Sequence, residues 1–336
     1  MNLPFARVLL LGLLALAPLA AQDGAVFTSD VRLVNVIATV QDSKGVPIGG
    51  LSKENFRILD EGQEREIAVF ERRTDRPLSV ILLVDASMST GIELKYEREA
   101  AKRFVAKLLG PGSHPEDRLA VMKFSEGIEM LSDFSRTQRN IERAIDKLKP
   151  EYGTSLYDGV LLASEELEPR DGRHVIIAIS DGGDTTSYTS FRASLEAAHT
   201  ADAVMFSLIV RPVKADAGRN VGGENTLKMF ADNTGGLTFI EYTEEGVDRA
   251  FSEILENLRT QYLLSYYPPE HTDPKTRFRK IAVEVDVPHE RVLARAGYYV
   301  PEERKLLPES IPPDRLDIKP KKRGGWREVE PAKNPK

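Results

Sequence analysis

The stretch Leu78-Ser79-Val80-Ile81-Leu82-Leu83-Val84-Asp85-Ala86-Ser87-Met88-Ser89 decides how the chain is read. Its first seven residues are almost continuously apolar, which suits a strand covered on both faces, as in a parallel sheet. A carboxylate and two hydroxyls then follow at alternate positions, in the pattern D-x-S-x-S. In a turn past a strand such a trio can converge on one point, and converging oxygen donors suit a hard cation. The same residue types cap helices and form turns, so the motif alone supports either reading.

Outward from this stretch, apolar runs alternate with amphipathic ones. Strands are predicted at 78–84, 119–124, 175–179, 204–210 and 237–240, with a short antiparallel edge strand at 128–131. Helices are predicted at 93–109, 138–148, 156–168, 191–201 and 244–259, and a shorter one at 227–231. In the first of these, Ala100, Phe104, Val105 and Leu108 share one face at helical spacing. The alternation predicts an α/β fold: a doubly wound, mostly parallel sheet with helices on both faces. Asp85 then stands beyond the carboxyl end of a strand, where open α/β sheets bind ligands.

Both flanks read as β. Before the α/β region, Val31, Leu33 and the runs 34–40, 56–59 and 67–70 form strands, with Lys44–Gly45 and Glu61–Gly62 as turns; after it come strands at 262–267, 281–287 and 292–300. Three strands at either end are too few to stand alone, so the two sets are expected to combine into one small β-sandwich with the α/β domain inserted between its halves. The expected organisation is a signal peptide at 1–22, an N-terminal β module at 30–74, the α/β domain at 76–260, completing strands at 261–300 and a disordered Pro- and Lys-rich tail at 301–336.

The signal-peptide reading rests on Arg7, a run of roughly a dozen apolar residues and the small pair Ala20–Ala21. The run is shorter than the about 20 residues a membrane-spanning helix needs, so no transmembrane segment is expected after cleavage. The protein is therefore expected to be exported, to a periplasm, a cell surface or the medium. With 0 cysteines there is no disulfide framework and no thiolate site. A net charge of −6 gives no general attraction to nucleic acid.

Two further segments complete the oxygen set. Gly153-Thr154-Ser155 places a hydroxyl on a loop between two predicted helices, and Ser180-Asp181-Gly182-Gly183 places a second carboxylate at the end of another buried strand. With D-x-S-x-S, these resemble the metal ion-dependent adhesion site of the von Willebrand factor A family, across 78–259. The resemblance implies that Ser87, Ser89 and Thr154 contact a divalent cation directly, and that Asp85 and Asp181 do so directly or through waters. Mg²⁺ is the expected ion, with Mn²⁺ or Ca²⁺ fitting the same donors. The flanks Gly50–Phe56, Leu59–Gly62 and 67–70, with 262–268 and 295–299, are similar to a bacterial group of von Willebrand factor A-related proteins.

The remaining signals have plainer readings. Asp184, Thr185 and Thr186 suit outer-shell contacts or a solvated loop; the five histidines show no ligand spacing; Tyr266, Tyr267, Tyr298 and Tyr299 suit a sugar platform or β core, with the core favoured. Basic residues at 319–323 suit an anionic surface or a solvated tail. The sequence carries no phosphate loop, no Gly-x-Ser-x-Gly elbow and no His-Glu-x-x-His helix. The function expected is thus a non-enzymatic, adhesion-type one in which the cation coordinates an Asp or Glu carboxylate of a protein partner. The rivals are a structural envelope module whose ion only stiffens loops, and a metal-dependent hydrolase.

Overall fold

A computed structural model describes residues 33–72, 76–88, 94–211, 220–269, 277–287 and 290–300. All of them lie in the compact unit Arg32–Lys336; the other unit, Met1–Val31, and the expected signal peptide and tail lie outside the described residues.

In chain order the strands and helices are β1 (Val34–Gln41), β2 (Phe56–Asp60), β3 (Gln63–Arg65), β4 (Val69–Arg72), β5 (Leu78–Asp85), α1 (Leu94–Leu108), β6 (Arg118–Phe124), β7 (Ile128–Ser135), α2 (Gln138–Ile145), α3 (Leu156–Leu167), β8 (Arg173–Ile179), α4 (Phe191–Thr200), β9 (Ala203–Val210), α5 (Val221–Thr234), β10 (Thr238–Glu241), α6 (Glu244–Arg259), β11 (Tyr262–Tyr266), β12 (Phe278–Val285), β13 (Arg291–Ala294) and β14 (Gly297–Tyr299). The fold is mixed α/β, as its pattern of apolar runs implies.

The central sheet has the order β10-β9-β8-β5-β6-β7, parallel except for β7, which runs antiparallel to β6. All eight residues of β5 are buried. Successive side chains of a strand point to opposite faces, so Val80, Leu82 and Val84 join one core with α1, α2 and α6, while Ile81 and Leu83 join the other with α3, α4 and α5. Phe104 of α1 stacks on Phe251 of α6, centroids 4.7 Å apart, which fixes two helices on the first face. The chain leaves β5 toward β6 on one side and returns to β8 on the other. That reversal falls at the carboxyl ends of β5 and β8, where Val84 pairs with Ile179, the position at which open α/β sheets take their ligands.

Two antiparallel sheets, β13-β1-β11-β4 and β14-β12-β2-β3, are each woven from strands before and after the α/β region. Their inner faces share one core, which includes Val36, Val40, Ile58, Tyr262, Leu264 and Ile281. Inside it the fully buried Asp60 accepts hydrogen bonds from Tyr266 Oη (3.0 Å) and Tyr298 Oη (3.1 Å) and pairs with Arg279 at 2.6 Å. A buried carboxylate needs such partners, and here they come from three C-terminal strands while Asp60 sits on an N-terminal one. Burial raises the Tyr298 hydroxyl to about 12, and the Asp60 charge adds to the shift.

Several boundaries differ from the sequence reading. The run at 292–300 is two strands, because Arg295 and Ala296 carry the chain from one sheet to the other; the Arg295 guanidinium donates to the carbonyls of Gly297 (2.7 Å) and His199 (3.2 Å) and pairs with Asp202. The short helix expected at 227–231 is the much longer α5, begun by an Asn220 side-chain cap on the Gly223 amide. The edge strand at 128–131 extends to Ser135. Of the four tyrosines weighed as a sugar platform, Tyr266 and Tyr298 are core, and Tyr299 packs beside Phe278 and His199.

Candidate metal centre

Asp85 closes β5 and is fully buried. Its Oδ1 accepts the Ser87 amide at 2.8 Å, which curls the chain after the strand, and its Oδ2 accepts the Ser180 hydroxyl at 2.6 Å. The end of β5 is thereby tied to the residue before Asp181. Asp181 folds its own turn, Oδ1 accepting the Gly183 amide at 2.8 Å, while Ser180 Oγ accepts the Gly182 amide at 2.9 Å. Gly182 has φ +82°, a left-handed conformation that favours glycine.

The third loop is stitched to the other two. The Glu151 amide donates to the Ala86 carbonyl at 2.7 Å, and the Glu126 amide to the Tyr152 carbonyl at 2.8 Å. The Thr154 carbonyl accepts the amides of Thr185 (2.8 Å) and Thr186 (3.1 Å), and the Thr154 amide donates to Thr185 Oγ1 at 3.1 Å. Gly153, at φ +76°, lies so close to Glu126 that an added Cβ would stand 2.8 Å from the glutamate Cβ. Thr154 is nearly buried, its backbone is fixed from both sides, and its hydroxyl has no hydrogen bond to any described residue.

Four of the five residues expected to form a site, Asp85, Ser87, Thr154 and Asp181, thus stand on three mutually hydrogen-bonded loops at one edge of the sheet. Ser89 lies outside the described residues. Among the described residues no group of three or more His, Cys, Asp and Glu gathers at metal-binding distance. An ion here would be held by two carboxylates and neutral hydroxyls, a donor set that fits a hard cation. Burial pushes the Asp85 carboxyl up to about 6 and the Asp181 charge adds to this, against hydrogen bonds from Ser180 and Ser87 that lower it. The segments 85–88, 150–155 and 180–190 contain no Lys or Arg, so they supply no positive charge to offset the two acids.

Several residues that shape this edge have no obvious sequence signal. Asp158, 1 % exposed, accepts the amides of Tyr188 (3.1 Å) and Thr189 (2.8 Å) and holds the loop after Asp181. Asp184, weighed above as an outer-shell ligand, accepts the Tyr157 amide at 3.2 Å and Ser187 Oγ at 2.6 Å, and burial raises its carboxyl. Lys123 holds Glu151 at 2.5 Å and Glu129 at 3.1 Å, bracing the third loop against β6 and β7. At the start of α5, Gly223 packs backbone to backbone against Gly182.

Residues 80–183, which run from inside β5 through the Asp181 turn, match the family described as von Willebrand factor type A domain. This stretch of the chain is similar to von Willebrand factor A domains, and it includes all five expected site residues. The minor fimbrium subunit Mfa5 of Porphyromonas gingivalis is 26 % identical over 161 residues, 46 % of this chain and 13 % of that relative, so the chain spans only a small part of the relative's length. Among solved structures, the vWF domain of Mfa5 aligns over 53 % of this chain and 94 % of its own, at 17 % identity and a TM-score of 0.45. A von Willebrand factor type A structure from Catenulispora acidiphila aligns over 81 % of this chain and 64 % of its own, at 14 % identity and a TM-score of 0.47.

Proposed function

We propose that the α/β domain binds a protein partner through a divalent cation held by Asp85, Ser87, Ser89, Thr154 and Asp181, with Mg²⁺ as the natural ion and Mn²⁺ or Ca²⁺ as substitutes. The observation that carries this is the nearly buried, uncommitted Thr154 hydroxyl, on a loop hydrogen-bonded to both the β5 turn and the loop after Asp181. When bound, the ion supplies an electron-poor centre that a partner Asp or Glu carboxylate can reach, because few of its donors carry charge. Asp85 and Ser87 come from one turn and position the ion, Asp181 adds a second charge from a different strand, and Thr154 approaches from the third loop.

Binding is favoured over hydrolysis by the state of Glu151, a further carboxylate on these loops. It is engaged by Lys123 and by Ser125 Oγ at 2.8 Å, so it does not serve as a general base. The name of the relative Mfa5, a fimbrium subunit, supports an adhesion-type role outside the cell. Export agrees with the Arg7-to-Ala21 segment, and no helix among the described residues is long and apolar enough to cross a membrane.

The test is retention of proteins from a cell-surface extract on the immobilised chain in Mg²⁺, with release by chelator. Thr154→Ala is expected to keep some metal binding and lose most of the chelator-sensitive retention, and Asp85→Ala to lose both. Retention indifferent to chelator and to both substitutions contradicts the proposal.

A further inference from the structure

The edge of the sheet that bears these loops is also where large apolar side chains stand in solvent. Ten large hydrophobic residues are exposed among the described ones, and six of them, Met88, Tyr96, Tyr152, Tyr188, Val221 and Tyr242, lie at or just beyond the carboxyl ends of the parallel strands. In strand order Tyr242 follows β10, Val221 opens the helix after β9, Tyr188 follows β8, and Met88 and Tyr96 follow β5; Tyr152 lies on the loop bonded to Ala86 and Glu126. Singly exposed apolar residues are ordinary, but their concentration at the edge carrying Asp85, Thr154 and Asp181 is not.

The two most exposed tyrosines sit on fixed backbone. Tyr152 is 80 % exposed, yet its carbonyl is held by the Glu126 amide and its neighbour Gly153 packs on Glu126. Tyr188 is 61 % exposed, and its amide is held by the buried Asp158 carboxylate. Apart from Asp184 and Val221, the loops around them are built from Tyr, Ser, Thr, Gly and Asn: Tyr152-Gly153-Thr154-Ser155, Gly182 to Ser190, and Asn220-Val221-Gly222-Gly223. Rigid tyrosines among small polar residues are the composition of surfaces that recognise folded polypeptide, because the ring offers a large amphipathic contact at low entropic cost. Tyr96, Tyr152, Tyr188 and Tyr242, each about half-exposed or more, together present on the order of 400–500 Å² of surface, roughly half of one side of a standard protein interface. The three loops around Tyr152, Tyr188 and Val221 contain no Lys or Arg, so the bound ion is the positive charge they would offer a partner's acidic side chain.

We infer that Tyr152 and Tyr188, with Met88 and Val221, form an apolar collar that binds hydrophobic side chains flanking the acidic residue of a polypeptide partner. This rests on the cation-binding reading above and adds the partner's chemistry: an Asp or Glu set among Leu, Ile, Phe, Tyr or Trp.

The probe is a phage-displayed library of random twelve-residue peptides, selected on the full chain in Mg²⁺, after which each enriched peptide is measured on wild type with and without chelator and on the Tyr152→Ala, Tyr188→Ala double variant. Both side chains are exposed, so the double variant should melt as wild type does. Enriched peptides are expected to carry an acidic residue within two positions of a large apolar one, and to bind the double variant at least about tenfold more weakly. Peptides that need Mg²⁺ but bind both proteins equally overturn the collar and leave the cation reading intact. Peptides that need the tyrosines but ignore chelator uphold the collar and overturn the cation reading. Absence of any enriched peptide overturns the inference, as does tyrosine-dependent binding to a glycan array alone, or tyrosine-dependent self-association in sedimentation.

Discussion

Replacing Gly223 by alanine should damage the Asp181 turn, while the same change one residue earlier should help the fold. A Cβ on Gly223 would stand 2.5 Å from the Gly182 carbonyl carbon, 2.6 Å from Asn220 Nδ2 and 2.7 Å from the Asp181 carbonyl oxygen, whereas on Gly222 it would meet only Asn220 Oδ1 at 3.9 Å. Ordinary contact needs at least about 3.4 Å, so the Gly223 variant must open the gap by roughly 1 Å. Helix α5 is anchored by the buried Leu227, Phe230 and Ala231, so the turn yields. Overpacking of this kind costs about 1–3 kcal/mol, whereas Gly→Ala in a helix gains about 0.5–1 kcal/mol. At about 2–4 °C per kcal/mol for a domain of this size, Gly223→Ala should melt several degrees lower and Gly222→Ala slightly higher. If the strain falls on Asp181, Mn²⁺ affinity by calorimetry should drop about 10- to 100-fold in Gly223→Ala alone. Equal melting temperatures and equal Mn²⁺ affinities in the two variants would refute the argument that this glycine pair sets the position of Asp181.

Two further outcomes follow from buried polar groups away from the site. Asp60→Ala strands Arg279 and two tyrosine hydroxyls in the sandwich core and should cost about 3–5 kcal/mol in urea unfolding; a loss below about 1 kcal/mol would show that this network does not hold the N- and C-terminal strands together. His199 is buried against Phe278 and Tyr299, and burial, with Arg295 nearby, pulls its imidazole down to about 3. Its folded value lies below the unfolded one near 6.5, so its contribution is constant above about pH 6.5 and stability falls as pH drops toward 3, by at most about 1.4 kcal/mol per unit. His199→Leu should flatten the wild-type decline between about pH 6 and 4.5, and identical pH profiles would exclude His199 as its source.

The α/β architecture was legible because the strands at 78–84, 175–179 and 204–210 are apolar apart from Ser79 and Ser207, as burial on both faces demands. Asp85 and Asp181 were legible as strand-end acids for the same reason. What periodicity could not show depends on tertiary contact. The start of α5 lies in Asn220-Val221-Gly222-Gly223, whose glycines argue against helix until their packing on Gly182 is known. The break at Arg295 is set by partners on α4 and β14, distant or invisible in a linear pattern. Asp158 reads as an ordinary helix-start acid, and only the fold shows that it holds the Tyr188 loop. The collar residues were missed because an exposed tyrosine in a loop carries no signal until the loops are seen to share one edge.

The central claim, that the oxygens of the Asp85, Thr154 and Asp181 loops hold a divalent cation, is tested most directly by titrating the metal-free chain with Mn²⁺, followed by electron paramagnetic resonance of the free ion. The account predicts one bound Mn²⁺ per chain, displaced by Mg²⁺, strongly weakened in Asp181→Ala and abolished in Asp85→Ala. Binding of equal stoichiometry and affinity in wild type and both variants, or no binding to wild type at millimolar Mn²⁺, would contradict it.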